Sequence, residues 1–384
     1  IGFSCYVLAD SYFISIAKGA DGLTALNLVM PLYSIIFSIG EMIGVGSAIR
    51  YAISKIKKDA DADDYFWNAL IWCILSSMLF VFAGIFFSAD IMRVLGADEH
   101  IVAVGNNYTK IFMCFAPMFM CNYVTNAFVR NDGAPGIAMS ATLFSSLFNI
   151  VFDYILMFPM NLGMEGAALA TALSPIIGMG ICSIHFFSKK SSVRLVVCKP
   201  SVRKLVAGCQ LGVSAFVGEM SSAVITLAFN FVILKLAGNV GVAAYGVVAN
   251  IAIVTTAVFN GVAQGSQPLI SSCFGRGDKD GCTQLKRMGY TTAFVLAAVM
   301  YSILFIFAGQ FVAVFNSEGS EMLRLYATEG VKLYFIGIFF AGINIVGGGA
   351  FSATEDAFKA AVVSVARGFV LILGAVFVMS AFFG

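Results

Sequence analysis

Charged side chains are scarce in this sequence. Only 11% of its 384 residues are Asp, Glu, Lys or Arg, and 60% are hydrophobic, whereas a soluble domain carries roughly 25% charged residues. A chain this long and this apolar needs lipid, which predicts an integral membrane protein. The net charge is only +2, and the basic residues lie in loops rather than in one stripe, so we expect no nucleic-acid partner.

The motifs of catalysis and metal binding are also missing. The two histidines, His100 and His185, lie near predicted helix ends, and no HExxH or GxSxG pattern occurs. The nine cysteines fall singly within apolar segments without a close CxxC pair, so we expect buried structural thiols. We therefore expect no enzyme, no catalytic residue and no cofactor.

Long apolar runs dominate what is present. A helix needs about 20 mainly apolar residues to cross a bilayer, and none of the runs alternates apolar and polar residues as a barrel strand does. The predicted fold class is all-α integral membrane. The eleven predicted spans lie near residues 1–17, 24–49, 65–87, 102–128, 135–158, 164–187, 209–236, 241–268, 288–308, 325–350 and 358–381.

Lysine and arginine collect in alternate loops between these spans. The loops around Lys57, Lys189 and Arg276 are basic, whereas the intervening loops include acidic stretches around Asp98 and Glu321. The positive-inside rule makes the basic loops cytoplasmic, so the first helix runs from inside to outside. We expect a multi-pass protein of the cell (inner) membrane.

The sequence contains an internal repeat. A shift of 219 positions superimposes the second span on the eighth, and a shift of 223 positions pairs Ala127 and Phe128 with Ala350 and Phe351. Apolar composition alone would not also align aspartates. The first shift gives the identities Gly22 with Gly241, Ala25 with Ala244, Val29 with Val248, Gly46 with Gly265, Ser47 with Ser266, Asp59 with Asp278, and Asp61 with Asp280.

Two halves of six helices follow from the repeat. Because six is even, both halves enter the membrane from the same side, which predicts a parallel pseudo-twofold repeat with a central cavity between the lobes. The N-terminal lobe spans 1–200 with helices 1–6, and the C-terminal lobe spans 201–384 with helices 7–11. The twelfth helix would begin beyond Gly384, and the first should start before Ile1, so we expect further residues at both ends.

Several polar side chains fall at membrane depth in the first lobe. Asn149 and Asp153 are four residues apart and share one face of the fifth helix. Asp10, Asp153 and Thr171 each lie roughly 8 to 12 Å inside the outer edge of their helices, at about 1.5 Å per residue. Their oxygens suit a small cation, and the carboxylates could instead hold protons. Hydrogen bonding between helices is the structural alternative, strongest for Thr171.

Two glutamates are candidates for contact with a cationic substrate. Glu219 lies near mid-membrane in the seventh helix, and Glu41 lies in the inner half of the second. Glu41 could equally reach the inner interface. Arg367 is the deeply placed basic residue of the second half, and we assign it no function. Small residues that we expect at close helix contacts are Gly40, Gly44, Gly46, Gly261 and Gly265.

Four segments carry a family resemblance. RNDGAP at 130–135, NIVFDY at 149–154, GAALATALS at 166–174 and FNGVAQGSQPLISSCFGRGD at 259–278 resemble, in order and spacing, the multidrug and toxic compound extrusion (MATE) family. The resemblance implies an antiporter that exports organic cations and drugs. It would use inward sodium or proton movement, with two lobes alternating access around a central cleft. We expect it to act as a monomer in the lipid bilayer.

The resemblance also implies a cation site in the first lobe. Asp10, Asn149, Asp153 and Thr171 match that site residue by residue, with sodium as one candidate ion, and Ala167 matches a backbone carbonyl that joins it in some relatives. A second-lobe site of some members needs an aspartate in helix ten, which this sequence lacks. The alternative function on this fold is a flippase for a lipid-linked sugar, which would need basic cleft residues where this sequence is acidic.

Overall fold

The computed structural model describes residues 2–315 and 320–383, and every regular element within those ranges is helical. Nine helices there are long and apolar enough to cross a membrane, or ten when a bent pair counts as one span. The predicted all-helical membrane class is thereby confirmed. Chain contacts form two compact units, the first ending at Phe216 and the second beginning at Val217. The lobe boundary near residue 200 and the parallel twelve-helix arrangement stay predictions.

The first unit contains six helices and the start of a seventh. A break at Gly19 divides the long helix Gly2–Lys57, so α1 precedes that glycine and α2 is Asp21–Lys57. The next helix, α3, is Asp64–Val94. A bend of 45° separates the two parts of α4, Glu99–Cys114 and Ala116–Asn131. Then follow α5, Pro135–Met157, and α6, Gly163–Phe186.

The second unit contains most of α7 and the helices after it. A break at Gly238 separates α7 from α8, which span Val202–Gly238 and Val240–Gly275. The last long helices are α9, Lys279–Ile306, α10, Glu321–Ala353, and α11, Ala357–Ser380. A short helix, Ala308–Phe315, lies between α9 and α10. Each predicted span overlaps one of α1 to α11, although α7 and α9 begin seven and nine residues before the predicted starts at 209 and 288. Ile1 lies outside the described residues.

The two breaks are the same turn built twice. Gly19 has φ +61° and ψ −143°, and Gly238 has φ +62° and ψ −158°. A side chain is strained at positive φ, whereas glycine adopts it freely. The two glycines are 219 positions apart, which is the shift of the sequence repeat. The repeat is therefore structural at this turn.

Packing after the turn is also duplicated. A Cβ built at Gly22 would lie 2.9 Å from Ile14 Cγ2, and one at Gly241 would lie 2.8 Å from Ile233 Cγ2. Ile14 and Ile233 are again 219 positions apart. In each copy the glycine lets the second helix start close against the isoleucine of the first. The sequence pairs at this turn therefore occupy equivalent environments.

Small residues join the start of α7 to α2. A Cβ at Gly46 would lie 2.0 Å from Gly208 O, and a Cβ at Gly212 would lie 2.0 Å from Met42 O. Backbones this close leave no room for any side chain between them. The first turns of α7 are therefore packed into the first unit, which explains why the unit boundary lies inside α7 rather than in the preceding loop.

The prediction of close helix contacts at glycines holds in the first unit and fails in the second. Cβ atoms built at Gly40 and Gly44 would lie 3.0 Å or less from α4 backbone atoms, which confirms close α2–α4 packing. The expectation for Gly261 and Gly265 is wrong, because a Cβ at either would meet nothing within 4 Å among the described residues. Composition alone does not reveal which face of α8 a glycine occupies.

A buried carboxylate anchors the loop after α6. Asp132, at the end of α4, accepts hydrogen bonds from His185 Nε2 at 2.8 Å and from the backbone N–H of Ser192 at 2.9 Å. The hydroxyls of Ser191 and Tyr51 donate to the same carboxylate at 3.1 and 3.3 Å. The side chains of Asp132 and His185 are only 2% and 4% exposed. This network fastens the loop to α2, α4 and α6.

Polar residues around the start of α3 hold the end of the same loop and the first turn of α7. Lys204 Nζ lies 2.9 Å from Asp61 Oδ2 and 2.5 Å from Asp64 Oδ2. The hydrogen bond from Lys204 lowers the pKa of Asp61 below its usual value. The backbone N–H of Ser201 donates to Asn68 Oδ1 at 2.7 Å. The whole α6–α7 loop is thus attached to the first unit at both ends.

Candidate functional site

The site is built on the tightly packed pair α5 and α6. A Cβ at Gly166 would lie 2.8 Å from the carbonyl carbon of Leu156, so α6 passes directly against the α5 backbone. Ser145 Oγ also donates to Ser174 O at 2.7 Å. With so little space between the helices, polar side chains on their facing surfaces must meet each other.

Asn149, Asp153 and Thr171 form a buried polar group at this contact. Each is 1% exposed or less. The Asn149 amide is oriented so that its nitrogen and its oxygen both have hydrogen-bond partners. In this orientation Nδ2 donates to Asp153 Oδ2 at 3.3 Å, and Oδ1 accepts from Thr171 Oγ1 at 3.1 Å. The spacing of four residues on α5 therefore brings Asn149 and Asp153 together, as the sequence predicts.

Asp10 approaches the group from α1. Its side chain is buried, with 4% exposure, and it lies within Coulombic range of Asp153, so that negative charges on the two carboxylates would repel each other. The α1 ring of Phe13 contacts Tyr154 and Phe158, with ring centroids 6.2 and 6.1 Å apart. Aromatic packing thus holds α1 beside the end of α5, and two carboxylates share one region of the first unit.

Each of the two carboxylates has an oxygen without a partner. Asp10 Oδ1 and Asp153 Oδ1 are buried and make no hydrogen bond within the described part of the chain. Leaving a buried acceptor unsatisfied is unfavourable, and doing so twice beside a second negative charge is more so. A small cation, or protons on the carboxyls, would relieve both defects, and the donor set of carboxylate, amide and hydroxyl oxygens fits either.

Ala167 lies one helical turn before Thr171. It is fully buried, at 0% exposure, which places it on the side of α6 that faces the interior of the first unit. Its position is compatible with the predicted carbonyl ligand. The assignment of that carbonyl as a ligand stays a prediction.

Two tyrosines complete the surroundings of Asp10, and the sequence reasoning missed both. Tyr108 on α4 donates from its hydroxyl to Asp10 Oδ2 at 3.3 Å. The hydroxyl of Tyr33 on α2 lies 2.5 Å from that of Tyr108. Tyrosine rings fit the apolar interior of a helix bundle as well as they fit a polar site. No spacing pattern in the sequence therefore distinguishes Tyr33 and Tyr108 from ordinary core residues.

The two candidate glutamates are on other helices, Glu41 on α2 and Glu219 on α7. Glu41 on α2 is partly exposed and attracts the guanidinium of Arg130 on α4. That charge pair supports a structural contribution for Glu41, and its contact with substrate stays a prediction. Glu219 lies in the second unit, where the structure places Arg367 Nη2 4.0 Å from the Cβ position of the preceding residue, Gly218.

Comparison with known proteins identifies the family. A family model described as MatE matches residues 1–155 and 215–379. The chain is 27% identical over 391 residues to the multidrug export protein MepA of Staphylococcus aureus (strain MRSA252), covering 99% of this chain and 84% of the relative. It is 26% identical over 386 residues to MepA of Staphylococcus saprophyticus subsp. saprophyticus, with the same coverage.

Solved structures share the fold. An outward-facing multidrug resistance MATE family transporter of the MOP superfamily aligns with a TM-score of 0.92 at 20% identity, over 99% of this chain and 85% of that chain. A MOP superfamily transporter from Pyrococcus furiosus aligns with a TM-score of 0.91 at 20% identity, with the same coverage. The resemblance seen in the motifs is confirmed. The chain therefore belongs to the MatE family of multidrug efflux transporters, and it is a membrane transporter rather than an enzyme.

Proposed function

We propose that this protein is a cation-coupled antiporter in which sodium ions or protons moving inward drive the export of organic cations and drugs. The observation that carries the proposal is the pair of partnerless oxygens, Asp10 Oδ1 and Asp153 Oδ1, in one buried group. Asn149 and Thr171 supply further oxygens, and the carbonyl of Ala167 adds another. Such a buried, oxygen-rich site favours the binding of positive charge.

The coupling ion acts in this proposal by changing the balance of charge around α1. Without it, the carboxylates of Asp10 and Asp153 repel each other. Binding of one cation, or of protons, removes that repulsion and favours a closer approach of α1 to α5 and α6. The resulting shift of α1 changes the space available to a substrate, so that ion entry expels the drug. The energy transferred cannot exceed the difference in ion affinity between the two states.

Small organic cations are the proposed substrates. The MepA relatives are named as multidrug export proteins, and Glu41 and Glu219 are carboxylates at membrane depth that can attract positive charge. We further propose that the basic loops face the cytoplasm, that the protein lies in the cell membrane, and that a monomer carries out transport.

Proteoliposomes test the coupling directly. Full-length protein is reconstituted, a fluorescent organic cation such as ethidium is trapped, and efflux is followed under an inward sodium gradient and, separately, under an inward proton gradient. We expect efflux under one or both, abolished by the matching ionophore. Absence of efflux under both gradients across several organic cations would contradict the proposal, and transfer of a lipid-linked sugar by the same vesicles would establish the flippase function instead.

A further inference from the structure

A chain of two buried hydroxyls ends on the carboxylate of Asp10. Tyr108 has a single hydroxyl proton, and it donates this proton to Asp10 Oδ2 at 3.3 Å. The proton in the 2.5 Å contact between the two tyrosines therefore belongs to Tyr33, which donates to the oxygen of Tyr108. The donors run in one direction, from Tyr33 on α2 through Tyr108 on α4 to Asp10 on α1.

We propose that Tyr33 is a positioning residue that sets the affinity of the site for its coupling ion. This inference rests on the proposed function, because it assigns Asp10 to ion binding. Tyr33 does not touch the ion itself. It fixes the orientation of the Tyr108 hydroxyl, which in turn occupies Oδ2 of Asp10 and leaves Oδ1 for the ion.

The surroundings make this orientation specific. Tyr33 and Tyr108 are 6% and 1% exposed, so bulk water cannot replace either donor. The ring of Tyr33 is stacked on Phe112, with centroids 3.7 Å apart and planes 13° apart. Phe112 is itself 1% exposed. The stack fixes where the Tyr33 hydroxyl lies, and that hydroxyl fixes the direction of the next one.

Hydrogen bonds donated to a carboxylate stabilise its charged, empty form and compete with the ion. Consecutive hydroxyls also polarise one another, so a donor behind Tyr108 strengthens the bond that Tyr108 makes. The two tyrosines therefore weaken the hold of Asp10 on its ion. An antiporter must release its ion in every cycle, and a site with these donors releases it faster than one without them.

The test is the variant Tyr33→Phe, which keeps the stacked ring and removes only the hydroxyl. We expect the concentration of coupling ion that gives half-maximal efflux to fall about three- to tenfold, the effect of weakening one buried hydrogen bond. Maximal efflux should fall as well, because a more tightly held ion leaves more slowly. Ion binding measured by calorimetry should tighten by the same factor.

The matched control is Tyr245→Phe in the second unit. Tyr245 is also 6% exposed, its ring is stacked on Phe229 with planes 13° apart, and its hydroxyl interacts with the side chain of Thr226. A merely structural contribution of Tyr33 would lower thermal stability in both variants and leave the half-maximal ion concentration of both unchanged. We expect that concentration to change in Tyr33→Phe alone.

Failure of the inference is distinct from failure of the proposed function. If the unaltered protein shows no gradient-driven efflux, the antiporter function is wrong. If it does, and Tyr33→Phe retains the same half-maximal ion concentration and the same calorimetric affinity, Tyr33 does not position the site. A loss of thermal stability in Tyr33→Phe with unchanged ion affinity would overturn the inference in the same way.

Discussion

Asn149 and Thr171 face each other across the contact between α5 and α6, with 3.1 Å between the Asn149 amide and Thr171 Oγ1. This contact joins α5 and α6 one helical turn from Asp153. Both side chains can make further hydrogen bonds, because the Asn149 amide also reaches Asp153 and the hydroxyl of Thr171 can accept as well as donate. The same contact that packs the helices therefore also assembles an oxygen-lined site.

Asp153→Asn should abolish coupled export without unfolding the protein. The amide has nearly the same shape as the carboxylate but carries no charge, so it cannot compensate a cation, and the buried repulsion with Asp10 disappears. We expect efflux in proteoliposomes to fall at least about tenfold, the effect of losing one strong charged interaction. Asp90→Asn is the control, since that carboxylate is 63% exposed and pairs with Arg93 at the surface. Unchanged efflux in Asp153→Asn at normal expression would count decisively against the proposed site.

Thr171→Val should weaken ion binding, while Thr171→Ser should largely preserve it. Valine keeps the shape of threonine but removes the oxygen, whereas serine keeps the oxygen. We expect the half-maximal ion concentration to rise about three- to tenfold in the valine variant, in line with one lost buried polar interaction. Equal ion dependence in the two variants would assign Thr171 to helix packing alone.

Asp132→Ala should destabilise the first unit strongly. It removes the acceptor for His185 and for the Ser192 backbone N–H in a buried network, a change that typically costs about 3 to 5 kcal/mol. The control is Asp21→Ala, which breaks a pair with His100 whose side chains are 53% and 68% exposed and which should therefore contribute little to stability. The two variants are compared by thermal unfolding in detergent. Similar unfolding midpoints would show that the Asp132 network contributes little to stability.

Gly46→Ala should also destabilise the protein, in contrast to Gly180→Ala. The new methyl group would lie 2.0 Å from Gly208 O, so α2 and α7 must separate, which costs about 1 to 3 kcal/mol. At Gly180 a Cβ meets nothing within 4 Å among the described residues, and alanine favours the helix there. We expect a lower unfolding midpoint for the first variant and an equal or higher one for the second. Equal midpoints would contradict the α2–α7 contact.

Much of the fold was predictable because lipid imposes simple rules on sequence. Each long apolar run became a helix, since no other single segment satisfies its backbone in a bilayer. The proximity of Asn149 and Asp153 was predictable because four residues make about one helical turn. Asp10 and Thr171 were predictable because charge and polarity are conspicuous at membrane depth.

The contributions of Tyr33, Tyr108 and Asp132 could not be predicted in this way. Tyrosine is an ordinary residue in a membrane helix. Only the three-dimensional contact between α2 and α4 reveals that the hydroxyls of Tyr33 and Tyr108 meet. Asp132 lies at a helix end, where carboxylates are common, so its burial beneath the α6–α7 loop leaves no mark in the local sequence. These features depend on residues 53 or more positions apart, which a local pattern cannot relate.

The duplicated glycine turn separates what the two copies share from what they do not. Under the shift of 219 positions that relates Gly19 to Gly238, the counterpart of Asp10 is Phe229, whose ring is stacked on Tyr245. The backbone demand of the turn is met in both copies, because glycine adopts this positive φ freely. The carboxylate occurs in the first copy, and the second has an aromatic contact in its place.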